Sequence, residues 1–515
     1  FKEKSGNDGA LCQLSMTDVE AELNHGSQTP VLAKSFNLLS ACTTGMTTGN
    51  VWAVLGGGIV CDFLITSLYN GGPPGAIYEF TLVALLYCPI AASIAELSSA
   101  VPTSGGVYHW ATLTAGPRYG RICGWFAGWL NGLAWAFAIC GNCSMVSSMI
   151  IYAYAIYHPG FHPERWHVFI CYLITAAVSC LTVMFAQRTL PFISRLGSFF
   201  IVANLLIILM VCAIMPSRDG AGYASSSFVW KDWKNTTGYS SQGFTFLAGM
   251  LNGAFGVGAV DAVTHLSEEI PQAAKNVPKA IACQVVIGFV TGFCYLVAMF
   301  YAVTDLPKIM NSDSVSPLGE IYLQATGSKA GAVGLLTLTI CPILCATVGC
   351  YITAGRTIYS LGRDDATPFG HWIGAVSVRW HSPLYATTAC GVFVICMGAI
   401  YVGSLTAFNA FISSFVVLTT LSYLLAILPH LITGRRNIRR GSFWLGRCGF
   451  AINASACSYI MASIVIYCFP YSVPTTPESM NYTSVITCGL VVLVGVWWVF
   501  YGRGNYHGPN LNYEE

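Results

Sequence analysis

Ala41-Cys42-Thr43-Thr44-Gly45-Met46-Thr47-Thr48-Gly49-Asn50-Val51-Trp52 puts threonines, glycines and an asparagine into the middle of an apolar run. A second run does the same: Asn252-Gly253-Ala254-Phe255-Gly256-Val257-Gly258-Ala259-Val260-Asp261. Both lie in stretches of the length that crosses a bilayer, about 20 apolar residues. In hydrocarbon, a backbone group without a partner is tolerated only where it lines a cavity or holds something. Glycine alone has a simpler reading, close packing of helices. Thr and Asn accompany the glycines in the first run, which favours an interruption that exposes backbone.

Outward from these two runs, apolar stretches lie near 38–67, 76–100, 122–155, 167–186, 197–215, 243–266, 281–303, 331–360, 383–402, 406–432, 450–470 and 484–502. They predict an all-α membrane protein of twelve transmembrane helices. The interrupted runs fall in the first and the sixth. With the N-terminus in the cytoplasm and sides alternating, eighteen of the 24 basic residues fall inside and six outside. That asymmetry is the positive-inside rule, and it supports an even count with both ends cytoplasmic. Residues 1–34 read as a disordered cytoplasmic tail without an apolar signal segment, and 503–515 as a short cytoplasmic tail. Two sequons, Asn235-Thr236-Thr237 and Asn481-Tyr482-Thr483, fall in outside loops and suit glycosylation.

Composition agrees. The 515 residues are 55% hydrophobic and 9% charged, against roughly a quarter charged in a soluble domain. A net charge of +2 gives no reason to expect nucleic acid. The 21 cysteines are odd in number, lie mostly in apolar runs and form no zinc-like pair of CxxC units; they read as small buried hydrophobes. No Gly-x-Ser-x-Gly, His-Glu-x-x-His or Walker loop occurs. The expectation is therefore no enzyme, no cofactor and no metal.

Further motifs carry a resemblance. They are Ala95-Glu96-Leu97-Ser98-Ser99-Ala100-Val101-Pro102-Thr103-Ser104-Gly105-Gly106-Val107-Tyr108-His109-Trp110, Asp261-Ala262-Val263-Thr264-His265-Leu266-Ser267-Glu268-Glu269-Ile270-Pro271 with Asn276-Val277-Pro278-Lys279, Ser404-Leu405-Thr406-Ala407-Phe408-Asn409, and Gly441-Ser442-Phe443-Trp444-Leu445-Gly446. With them the chain resembles the fungal amino acid/choline permease branch of the amino acid–polyamine–organocation transporters, over roughly residues 35–505. The resemblance implies a five-plus-five inverted repeat with broken helices 1 and 6, spanning 35–432, and two extra helices in 433–502. It also implies alternating access, usually coupled to protons. Between Asn50 and Gly71-Gly72-Pro73 the chain is about half a dozen residues longer than the family pattern. The surplus lies around Cys61–Thr66 and includes Asp62, on which no mechanism is built.

Paired interruptions in corresponding helices point to a transporter binding site. In the first, Thr48, Gly49 and Asn50 would expose backbone and a helix N-terminus suited to a carboxylate. In the sixth, Gly253, Gly256 and Gly258 would face them. Aromatics near the same level, Trp52, Phe255, Trp129 and Trp135, suit a quaternary ammonium through cation–π contact, and Asn50-Val51-Trp52 resembles choline-transporting members. Asp261 is an ionisable residue in a span, functional by default. His265, four residues on, shares its face, so the two are candidates for a gate or a proton-coupling pair, or for a structural tie. Glu96 and Glu268 are expected to pair with arginines at inner helix ends, and Glu79 to be solvated. The expected function is secondary active transport of a small amine or amino acid such as choline or 4-aminobutyrate in the plasma membrane, with the proton coupling that the resemblance implies. A non-transporting nutrient receptor of the same fold is the alternative.

Overall fold

In a computed structural model, residues 36–58, 69–218, 222–310, 314–477 and 479–509 are described. The tail 1–34, the last six residues and the surplus segment with Asp62 lie outside them. Among the described residues, ten helices are long and apolar enough to cross a membrane. We number the helices in chain order. Two short ones come first, α1 (Leu38–Thr48) and α2 (Val51–Gly58). Then follow α3 (Gly72–Ala100), the shorter α4 (Val107–Thr114), α5 (Gly116–Ala155), α6 (Arg165–Phe185) and α7 (Gln187–Arg218). The 16-residue α8 (Gln242–Val257) precedes α9 (Ala273–Tyr301), α10 (Lys329–Arg363), α11 (Leu384–Gly403), α12 (Leu405–Ile432), α13 (Gly446–Ile466) and α14 (Thr483–Asn505). The chain is thus a mostly helical, multi-pass integral membrane protein.

Local chemistry sets the ends that matter. Asn37 caps α1: its Oδ1 accepts the Ser40 N–H at 2.8 Å, while Ser40 Oγ accepts the Asn37 N–H at 2.7 Å. This reciprocal box satisfies two donors that a helix start leaves open. At the other end the Gly49 N–H closes on the Gly45 carbonyl at 2.9 Å, and helix resumes only at Val51. Ser241 caps α8, accepting from the Phe244 N–H at 3.3 Å. That helix stops at Val257, earlier than the run to 266 expected from hydropathy. Residues 258–263 are unwound, and a 3₁₀ turn follows at Thr264–Glu269.

Burial orders the bundle. In α5, 94% of the most apolar stretch is buried, against 17% in α14, so α5 is central and α14 peripheral. The α5 helix packs on α4, α10 and α12, and α3 packs on α8 and α9. On one side, an antiparallel pair joins Asn70–Gly71 to Lys234–Asn235 and ties the start of α3 to the loop before α8.

At the opposite side, carboxylates hold helix ends together. Glu96 meets Arg435 and accepts the Leu445 N–H at 3.0 Å. Glu268 meets Arg363 at 3.4 Å and Ser104 Oγ at 2.6 Å. Glu269 pairs with Arg356 at 2.8 Å, both fully buried, and Gln187 bridges them, its Nε2 on Glu269 at 3.1 Å and its Oε1 on Arg356 at 3.2 Å. The arginine pairing expected for Glu96 and Glu268 is present.

Three expectations change. Glu79 is buried against Gly249 of α8 rather than solvated. Asn481 is buried too, its amide donating to the Tyr467 and Phe469 carbonyls at 2.7 and 3.0 Å. The second sequon is therefore a loop tie with no accessible acceptor nitrogen. Of the described cysteines, all are free, but Cys88, Cys294, Cys396, Cys448 and Cys488 are exposed. On a membrane bundle an exposed apolar side chain can face lipid, so burial in protein is not required of a cysteine in a span.

Candidate binding site at the two helix breaks

Asp261 sits in the unwound segment after α8 and is fully buried. Its Oδ2 accepts from Asn131 Nδ2 at 2.8 Å and Trp135 Nε1 at 3.4 Å, and lies 3.2 Å from His265 Nε2. Its Oδ1 accepts from the Tyr423 hydroxyl at 2.6 Å. Asn131 and Trp135 are one turn apart on α5 and so share a face. Tyr423 comes from α12, and its hydroxyl is also 3.2 Å from the Gly258 carbonyl, freed by the unwinding. A buried charge is tolerated when paired and hydrogen-bonded, and this carboxylate is both.

Next to the acid is an aromatic cluster. Phe415 of α12 meets Trp135 edge-on at 5.7 Å between ring centres and Phe255 at 5.5 Å. Trp135, Phe255, Asp261 and His265 are thereby brought together, as the sequence suggested for a site. Such rings present the negative face that attracts an organic cation.

The first break is built differently. Asn50 is buried, and neither its amide nitrogen nor its oxygen has a hydrogen-bond partner among the described residues. Thr48 Oγ1 is likewise buried and unpartnered; it faces Gly349 of α10, where a Cβ would come within 2.2 Å of it. Gly49 lies against Gln284 of α9, and a Cβ there would be 2.5 Å from Gln284 Nε2. Asn50, Gln284, Met46, Ile201 and Thr291 bound a small cavity with room for about one water. Gln284 joins the two breaks: its Nε2 donates to the Ala259 carbonyl of the unwound segment at 2.7 Å, and its Oε1 is left without a partner.

Other candidates are placed elsewhere. Trp52 is fully buried, donates to the Ile201 carbonyl of α7 at 3.1 Å and packs its ring 5.3 Å from Tyr295 of α9. Gly253 and Gly256 lie inside α8 and serve close packing: a Cβ would meet Val83 and Phe80 at the first, Leu55 and Val51 at the second. Of the three glycines, Gly258 alone lies in unwound chain, and its carbonyl is the one that reaches the site. Trp129 packs tilted against Trp125, with 6.1 Å between ring centres. Asn131, Gln284, Phe415 and Tyr423 were not singled out in the sequence. For Asn131 and Gln284 a signal existed, an uncharged polar side chain inside an apolar span.

The sequence profile of the family described as amino acid permease matches residues 36–494. A choline transporter of Saccharomyces cerevisiae is 30% identical over 479 residues, covering 92% of this chain and 83% of that protein. An amino-acid permease of Arabidopsis thaliana is 26% identical over 471 residues, covering 87% and 90%. A transmembrane transporter of Metarhizium robertsii is 28% identical over 447 residues, covering 86% and 87%. With a match that spans nearly all the described helices, the chain belongs to the amino acid permease family of the amino acid–polyamine–organocation superfamily.

Proposed function

We propose that this permease is a proton-coupled secondary carrier of a small amine or amino acid, of the choline or 4-aminobutyrate kind, in the plasma membrane. The observation that carries the reading is the buried Asp261–His265 pair beside the Trp135–Phe415–Phe255 cluster. His265 Nδ1 lies 3.0 Å from the Ser104 carbonyl, which can only accept, so a hydrogen there is favoured. Nε2 then faces Asp261 Oδ2 across 3.2 Å, and that contact is attractive only with a proton between them. The pair thus holds one proton that either partner can carry, as imidazolium and carboxylate or as imidazole and carboxylic acid. Release of that proton leaves a buried charge, which favours a rearranged site. This is the form that coupling takes in an alternating-access cycle.

The two breaks fit the same reading. Counting α1 with α2 as one interrupted span, and α8 with its unwound end as another, gives twelve spans with the ten long helices. Interruptions in the first and sixth support a five-plus-five inverted repeat through Ile432, two added helices and both termini in the cytoplasm. Thr48, Gly49, Asn50 and Gly258 would hold the substrate's polar groups, and Trp135 with Phe255 its ammonium. Trp52 would support this site from behind through its packing.

Uptake of labelled choline, in cells lacking their own carriers, tests the reading. Saturable uptake that 4-aminobutyrate competes with and a protonophore collapses is the expected result. Uptake indifferent to the protonophore removes the coupling, and binding without uptake makes the protein a receptor.

A further inference from the structure

Outside the site, a groove of about 530 Å³ runs between α3 and α9. Its walls are small and apolar, with Ala91, Ala92 and Ala95 on one side and Ile281, Ala282 and Val285 on the other. One end is closed by Ser442 and Phe443. That closure is firmly built: Ser442 Oγ donates to the Ala274 carbonyl at 2.6 Å, the Phe443 N–H donates to Ser99 Oγ at 2.8 Å, and Gly441 lies so close to Ser99 that a Cβ would be 2.4 Å from its backbone. At the same end stand Lys275 and Lys279, one turn apart on one face of α9 and both exposed. Neither makes an ion pair among the described residues, and no acidic side chain lines the groove. Arg439 and Arg440, exposed in the adjoining loop, add to the positive charge.

We propose that this groove binds one anionic glycerophospholipid from the leaflet on the lysine side, its acyl chain along the alanine furrow and its headgroup on Lys275 and Lys279. Length supports an acyl chain. From Lys275 to Val286, which ends the lining on α9, is eleven residues, or about 16 Å at the helical rise. That is half of a hydrocarbon core of about 30 Å, one leaflet deep. Charge supports an anionic head, because basic pockets at the membrane face attract anionic lipid over neutral. A soluble anion would not use the furrow, and a sterol would not use the lysines. The orientation proposed above assigns this face to the cytoplasm, where phosphatidylserine is supplied. Binding itself does not depend on transport, so the two readings fail separately.

The test is native mass spectrometry of the full chain in mild detergent, titrated with phosphatidylserine or phosphatidylcholine of matched acyl chains. One phosphatidylserine should be retained about tenfold better than phosphatidylcholine. Lys275→Gln with Lys279→Gln should bring the two lipids level. Ala282→Trp, which fills the furrow, should reduce both. Equal retention by the unaltered protein overturns the proposal, as does a preference for phosphatidylserine that survives the double substitution. A thermal melt of each variant in the same detergent, measured in parallel, reports whether it is folded.

Discussion

The breaks in the first span and after α8 look equivalent in the sequence and are opposites in the structure. At Gly49–Asn50 the chain skips barely a turn and leaves Asn50, Thr48 Oγ1 and Gln284 Oε1 buried without partners among the described residues. After Val257 it unwinds over six residues, yet Asp261 there is held from α5, α12 and its own turn. An unmade buried hydrogen bond costs roughly 1–3 kcal/mol, so these groups gain from any polar occupant of the small cavity beside them. The second is already satisfied and must be disturbed before it moves. On the function proposed above, the first break would receive the ligand and the second would act as a latch that a proton releases.

The largest way to break this contrast is Asp261→Asn. It removes the charge that four groups converge on and ends proton sharing with His265. Choline uptake per copy at the cell surface should fall about 100-fold, the effect of removing one partner from a buried ion pair. Normal uptake would make the latch a mere tie. Next is Asn50→Ala. Because Asn50 makes no hydrogen bond to the described residues, thermal stability should hold or rise slightly, while KM rises about tenfold for the loss of one or two ligand hydrogen bonds. A fall in stability with unchanged KM would reverse the assignment.

Trp135→Ala probes the wall beside the latch. Choline should lose roughly three- to tenfold more affinity than 4-aminobutyrate, since only the quaternary ammonium depends on the ring face, in competition assays. Trp52→Ala should cost both substrates alike, because Trp52 packs on Tyr295 and Ile201. The smallest effect is Gly253→Ala. A Cβ there would be 2.6 Å from Val83 Cγ1 and 3.0 Å from the Phe80 Cα. Overpacking should lower stability by about 1–3 kcal/mol in a thermal melt and leave the ratio of KM values unchanged.

The sequence makes the position of both breaks legible, because glycine and polar side chains in an apolar run are local signals. It also marks Asp261, since an ionisable residue in a span is costly, and leaves open whether it works or only ties the helix down. It does not reveal which way each residue faces. Gly253 and Gly256 look like their neighbour Gly258 and prove to be packing surfaces. Apart from His265, the groups that hold Asp261 come from 126 to 162 residues away, and no local pattern announces that Tyr423 and Asn131 will meet there. The burial of Glu79 is hidden for the same reason: whether an acid near a span's end is wet depends on the helix laid over it, here α8 at Gly249.

The Glu269–Arg356–Gln187 knot has a consequence for how damage to this gene would look. Arg356 is fully buried, and loss of Glu269 would leave its charge unmatched at a cost of about 3–5 kcal/mol. Since a loss of one or two kcal/mol already changes cellular abundance severalfold, a substitution there should act through quality control. Cells would show too few copies at the surface, each working normally, and a low growth temperature or a chemical chaperone should restore uptake that no increase in substrate can.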